Sequence, residues 1–265
     1  MLFDTFHICY IIVSALITTG LLIAFKYLCK TQKSKDVTLK IIAIFVVLIH
    51  YSELWVNYLS NGYTTVESPL LFPIYPCNVM MWLLLLTSYI SKKDTMFYRI
   101  LTEFVSLAGI VCAAAGILFN FNYNNCGLDS YGIFSGLFSH SVMFLGCIYL
   151  LSVAKVKIRM FNVVSVVCGL LFFLVDGVVI NTIFNLAGLD PVNSMFLIEP
   201  PFENMPWLNT LTIGIVAIVL VFIIGAIGEA VSLPKEERWH HKLAVRFKAK
   251  KEQTKNQNIN QETKE

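Results

Sequence analysis

The sequence predicts an all-α membrane protein, a bundle of seven transmembrane helices, from three observations. Hydrophobic residues make up 57% of 265 and charged residues 14%, with a mean hydropathy of +0.69, whereas a soluble domain carries about a quarter charged residues. Seven apolar stretches, at 6–29, 37–59, 70–90, 97–119, 133–154, 161–183 and 207–231, are each long enough to cross a hydrocarbon core. Lys and Arg also alternate between connections. Lys30, Lys33 and Lys35 follow the first stretch, Lys92, Lys93 and Arg99 the third, and Lys155, Lys157 and Arg159 the fifth; connections 60–69, 120–132 and 185–206 have none. By the positive-inside rule the basic loops and the tail are cytoplasmic and the N-terminus is outside.

Residues 1–233 thus form the integral domain and 234–265 a polar juxtamembrane segment. The first stretch lacks a basic leader and a small-residue cleavage site, so it reads as a retained span. The expected location is the cell (cytoplasmic) membrane, and the expected partners are membrane lipids as substrate or ligand, with no nucleic acid.

Span one brings His7 and Cys9 near its outer end, where packing or interfacial roles are expected. In span two, His50, Glu53 and Asn57 fall at i, i+3 and i+7 on one helix face. Ionisable groups at that depth are expensive and face a bundle interior or a wet cavity, although a His–Glu pair also serves to lock helices together. Span three opens with Pro73, Pro76, Cys77 and Asn78. Proline removes a backbone donor and bars the preceding residue from helical geometry, so the freed carbonyls need partners from the protein or trapped water.

Span four carries Ser106, Gly109, Ala113 and Gly116, a small-residue face for close packing; Glu103, near the inner end within reach of the basic loops, reads as a structural charge. Span five holds Ser139-His140-Ser141. Span six holds Asp176 and Asn181, and the connection after it includes Asn193 to Pro201. Met195, Phe196 and Leu197 are too apolar to remain in water, so this segment is expected to fold over the mouth of a site. Span seven is apolar until Glu229.

Alternating direction puts His50, Glu53, Asn57, Cys77, Asn78, His140, Asp176 and Asn181 all in the outer half of the bilayer, which implies one polar pocket. A cysteine beside a histidine base is a standard way to form an acyl-enzyme, and Glu53 or Asp176 would orient the histidine. His50 and Glu53 also have plausible spacing for a metal-dependent hydrolase, but there is no His-Glu-x-x-His signature, and no metal or other cofactor is assigned. A transporter or receptor for a small polar ligand is the non-enzymatic alternative.

The order of these features resembles the YwaF family of bacterial integral membrane proteins. The resemblance rests on His50-x-x-Glu53, the proline-containing segment 72–77, Ser139-His140-Ser141, and Asn193-x-Met-Phe-Leu followed by Pro200. It covers nearly the whole chain up to the tail. More distantly, the chain is similar to a eukaryotic transmembrane acyltransferase family that moves polyunsaturated acyl chains onto ether phospholipids. That family's cysteine follows a Leu-Pro-Leu-His-Leu type motif and works with a histidine in a later span. The likeness implies Cys77 as nucleophile and His140 as its partner. Here Ile74-Tyr75-Pro76 precedes the cysteine, with tyrosine in place of the motif's histidine and proline in place of its leucine.

Among the other cysteines, Cys29, Cys112, Cys147 and Cys168 read as small hydrophobes; a Cys9–Cys126 disulfide on the outer side is left open. After Pro234, Trp239, Leu243 and Phe247 recur at every fourth residue among Arg238, Lys242, Arg246, Lys248, Lys250 and Lys251. This is the pattern of a basic amphipathic helix suited to an anionic inner leaflet, with His240-His241 at the interface. Beyond Glu252 the composition favours disorder. A topology reporter inserted at Asn125 is expected outside and one at Lys157 inside; finding both on one side would end the seven-span reading.

Overall fold

The computed structural model describes residues 3–61, 73–119, 130–152, 156–189, 191–201 and 205–262, and among these every regular element is helical. Helix α1 (Thr5–Leu28) starts where the Asp4 side chain accepts the His7 amide at 2.8 Å, satisfying one of the first-turn donors that lack an intrahelical partner. Next come α2 (Gln32–Asn61), α3 (Pro76–Tyr89) and α4 (Met96–Leu118), the last capped by Thr95, which accepts the Tyr98 amide at 3.1 Å. Helices α5 (Tyr131–Ser152) and α6 (Asn162–Leu186) precede α7 (Thr210–Ser232). A reciprocal capping box between Asn209 and Thr212 opens α7, and α8 (Trp239–Glu262) follows.

Among the described residues, six helices, α1, α2 and α4–α7, are long and apolar enough to cross a membrane. The third stretch departs from the expected 70–90. Helix α3 has 14 residues and begins at Pro76, which suits a first helical position because its missing donor would be unpaired there anyway. Residues 62–72 lie outside the described set, as do Cys126 and hence any pairing with Cys9.

Contacts between helix ends show that successive helices alternate in direction. At one end, Lys93 pairs with Asp36 and the Tyr149 hydroxyl donates to the Lys35 carbonyl at 3.2 Å. The Met160 amide donates to Glu229 at the same end, at 3.0 Å. At the other end, His7 Nε2 donates to the Ile117 carbonyl at 2.8 Å, and the Ser52 and Tyr131 hydroxyls meet at 2.8 Å. The lysine-bearing connections therefore gather at one end of the bundle, called the basic end below.

Helix α5 is the centre. It packs against α1, α2, α3 and α4, and Leu137, Met143, Cys147, Tyr149 and Leu150 along it are fully buried. Helices α1 and α7 present bare apolar faces, with Leu16 at 68% and Val231 at 83% exposed, as expected where the solvent is hydrocarbon. Glu103 is a structural charge whose partner is the Ser165 hydroxyl on α6 in place of a basic loop. The cause is the close approach of α4 and α6. A Cβ at Gly169 would lie 2.2 Å from the Phe104 ring, so the glycine lets the helices close and brings Ser165, one turn earlier, to the carboxylate.

Glu229, 6% exposed, ties the basic end together. One oxygen accepts the Met160 amide and the other the Trp239 amide at 2.8 Å. The approach is tight, since a Cβ at Gly225 would sit 2.8 Å from the Arg159 carbonyl oxygen. Glu229→Ala would strand the buried Met160 donor, so a loss of about 1–3 kcal/mol is expected. Thermal unfolding of the purified protein checks it, and an unchanged midpoint would mean that the carboxylate holds nothing.

Candidate functional site

Cys77 is the second residue of α3, where Pro76 supplies no amide. Its thiol donates to Asn78 Oδ1 at 3.2 Å. The same amide group donates from Nδ2 to His50 Nε2 on α2 at 3.3 Å. Asn78, itself buried, thereby bridges the thiol and one histidine. His50 also meets Tyr51 edge-on at 5.1 Å, and Tyr51 in turn meets Trp82.

His140 on α5 is held differently. Its Nδ1 donates to the Gly136 carbonyl one turn back at 2.6 Å, which commits the neutral ring to a lone pair on Nε2. That Nε2 is buried and has no hydrogen-bond partner among the described residues. The ring is seated on α4, where a Cβ at Gly116 would lie 1.9 Å from its Cδ2 and 2.3 Å from Nε2. His50 and His140 lie within electrostatic reach of each other, and so do Cys112 and Cys77. No hydrogen bond joins Cys77 to His140 Nε2, which has no partner.

The other candidates divide. Glu53 faces the start of α5, where it accepts the Ser135 hydroxyl at 3.3 Å and sits where a Cβ at Gly132 would be 2.6 Å from its Oε1. A carboxylate there complements the helix dipole and sets the position of α5, hence of His140. Asn57 lies one turn further along α2, and its side chain is outside the described set. Asp176 on α6 has a buried Oδ2 without a hydrogen-bond partner. Among the described residues, no three His, Cys, Asp or Glu side chains are grouped as a metal ion would require.

Asn181 and Asn193 organise the connection after α6. Asn181 Oδ1 accepts the Ser194 amide at 2.9 Å, and Asn193 Oδ1 accepts the Ile198 amide at 3.0 Å. The carbonyl of Ile74, just ahead of α3, accepts both the Ser194 hydroxyl at 3.0 Å and the Met195 amide at 2.9 Å. Phe196 stacks on Tyr75 at 5.3 Å. Met195, 3% exposed, packs toward Gly177, where a Cβ would lie 2.9 Å from the Met195 Cβ. The segment thus rests on the two residues before Pro76-Cys77. Met195 and Phe196 have φ of 54° and 55°, a left-handed conformation costing roughly 1–2 kcal/mol per residue, which those contacts offset.

A sequence model of the TMEM164 family matches residues 2–227. The chain belongs to the TMEM164 family. No curated protein and no solved structure matches it. The stretch matched to TMEM164 includes Cys77, Asn78, His50 and His140 and ends within α7, so α8 lies beyond it. Within it, the sequence reading missed three contributors to the site of this TMEM164 protein. Gly116 passed for helix packing alone, Gly132 was not singled out, and the Ile74 carbonyl carries no side-chain signal.

Filling the seat of His140 is a direct test. Gly116→Ala is expected to overpack α4 against α5 at a cost of about 1–3 kcal/mol. Adding His140→Ala should recover part of that loss, as read by thermal unfolding of the single and double variants. Additive losses would show that ring and glycine do not compete for one space.

Proposed function

We propose that this TMEM164-family protein is an intramembrane lipid acyltransferase, with hydrolysis when water is the acceptor, using Cys77 as nucleophile and His140 as base. The observation that carries this reading is the bare, buried Nε2 of His140, held in its tautomer by the Gly136 carbonyl. His50 is the weaker base candidate because its Nε2 already accepts from Asn78. The likeness of Cys77 and His140 to the cysteine and histidine of the eukaryotic acyltransferase family adds support, as does the wider YwaF resemblance. The same reading takes the chain as a seven-span protein of the cell membrane, with its basic end in the cytoplasm.

In the first step the thiol proton passes to His140 Nε2 as Cys77 Sγ attacks the ester carbonyl of a donor lipid. The carbon–sulfur bond forms, the ester carbon–oxygen bond breaks, and the lysolipid alcohol leaves with the proton from the imidazolium. In the second step an acceptor hydroxyl gives its proton to Nε2 and attacks the thioester. The new ester forms, and the sulfur leaves and regains its proton. Splitting one transfer into two steps is what a thiol nucleophile contributes. The Gly136 carbonyl keeps the ring oriented, the role a carboxylate fills in other triads.

Labelled acyl transfer between phospholipids in proteoliposomes tests the proposal. Cys77→Ser and His140→Ala should each abolish transfer without loss of folded protein, and the double variant should be no worse than either single one. Cys168→Ser, on an exposed position of α6, should be neutral. Full transfer by Cys77→Ser would remove the nucleophile; activity lost to a zinc chelator would favour the metal hydrolase, and ligand flux without transfer the transporter.

A further inference from the structure

Helix α8 leaves α7 through Leu233 and Pro234 and is moored at its first residue. The Trp239 amide donates to the buried Glu229 carboxylate at 2.8 Å, and the Trp239 ring meets Phe222, on the membrane-spanning helix, edge-on at 5.9 Å. Arg238 Nε donates to the Leu233 carbonyl at 3.0 Å. A tryptophan held against a spanning helix, with its neighbours polar, marks the interfacial level of a bilayer. The start of α8 is therefore set at the membrane boundary, at the basic end.

From that anchor, helical periodicity of 100° per residue sorts the next three turns. Trp239, Leu243 and Phe247 fall within one narrow stripe. Lys242 and Arg246 flank it on one side and Lys251 on the other, placements from which long cationic side chains reach headgroups while apolar ones insert. Between 238 and 251 the chain has cations at Arg238, Lys242, Arg246, Lys248, Lys250 and Lys251 and no carboxylate. Phe247 is 64% and Val245 54% exposed, so nothing in the bundle covers this part of the helix. Lys242 and Arg246 also line a shallow groove with His241, Val245 and Glu236, the last being the one carboxylate there.

We propose that the first turns of α8 lie on the leaflet at the basic end and bind its anionic phospholipids, with Trp239, Leu243 and Phe247 inserted and the flanking cations on lipid phosphates. The occupant is a lipid surface because the apolar stripe starts at membrane level and is bordered by cations, whereas a helix docked on a protein would begin from an anchor free of the bilayer. At this end Lys93 pairs with Asp36, and the Tyr149 hydroxyl donates to the Lys35 carbonyl. This assignment is independent of the acyl-transfer reading.

The test places the full-length protein in nanodiscs of phosphatidylcholine alone or of phosphatidylcholine with phosphatidylglycerol, and follows amide hydrogen exchange across 240–251. Exchange is expected to slow by about tenfold or more in the anionic discs. The protection should be lost in about 0.5 M salt, where screening is short-ranged, and in Lys242→Gln/Arg246→Gln/Lys251→Gln. Leu243→Ser/Phe247→Ser should lose it as well, while exchange across α7 stays unchanged in every variant. Equal exchange in the two lipids, protection that survives charge removal, or protection that appears only when an acidic protein is added would each overturn the proposal.

Discussion

In hydrocarbon, a carbonyl released by a break in a helix has no water to turn to, and the architecture around Cys77 follows from how one such group is satisfied. Pro73 and Pro76 stop helical pairing ahead of α3, and the carbonyl of Ile74, itself 1% exposed, is left facing the interior. It takes two donors from one distant segment, the hydroxyl of Ser194 and the amide of Met195. A buried carbonyl left unpartnered costs about 1–3 kcal/mol, which helps to hold Met195 and Phe196 in a left-handed backbone that neither side chain favours. The connection after α6 is thereby fixed on the start of α3, and Asn181 and Gly177 shape α6 to receive it.

Helix α5 is the frame for the second half of the site. Its start is held by Glu53 through Ser135, and glycines at 132 and 116 let α2 side chains and α4 backbone approach it closely. The result is a histidine whose two nitrogens are treated unequally, one spent on Gly136 and the other left bare. An unsatisfied buried acceptor is a cost that a purely structural histidine avoids. His7 shows the contrast, since both of its ring nitrogens are bonded, Nδ1 to the Phe3 amide and Nε2 to the Ile117 carbonyl.

The basic end uses charge differently. Glu229 is a buried carboxylate whose two oxygens accept the backbone amides of Met160 and Trp239. Lys93 pairs with Asp36, Arg238 Nε donates to the Leu233 carbonyl, and Lys40 sits over the Tyr89 ring.

Class, helix order and alternation of direction were legible in the sequence, because hydrocarbon allows few backbone solutions and loop charge records which ends lie together. The polar residues His50, Cys77, Asn78 and His140 were legible too, since any such group at membrane depth stands out against apolar neighbours. Their pairing was not. That Asn78 joins Cys77 to His50, that Glu53 serves the start of α5, and that Glu103 meets Ser165 depend on helix rotation and on where glycines allow contact. Periodicity reports a face but not what the face meets. The length of α3 was misjudged for a related reason: hydropathy continues through Pro73 and Pro76, while the helix begins only where proline geometry permits. What tertiary structure alone decided is where the freed Ile74 carbonyl finds its donors, because a backbone group has no letter in the sequence and its partners lie 120 residues away in the chain.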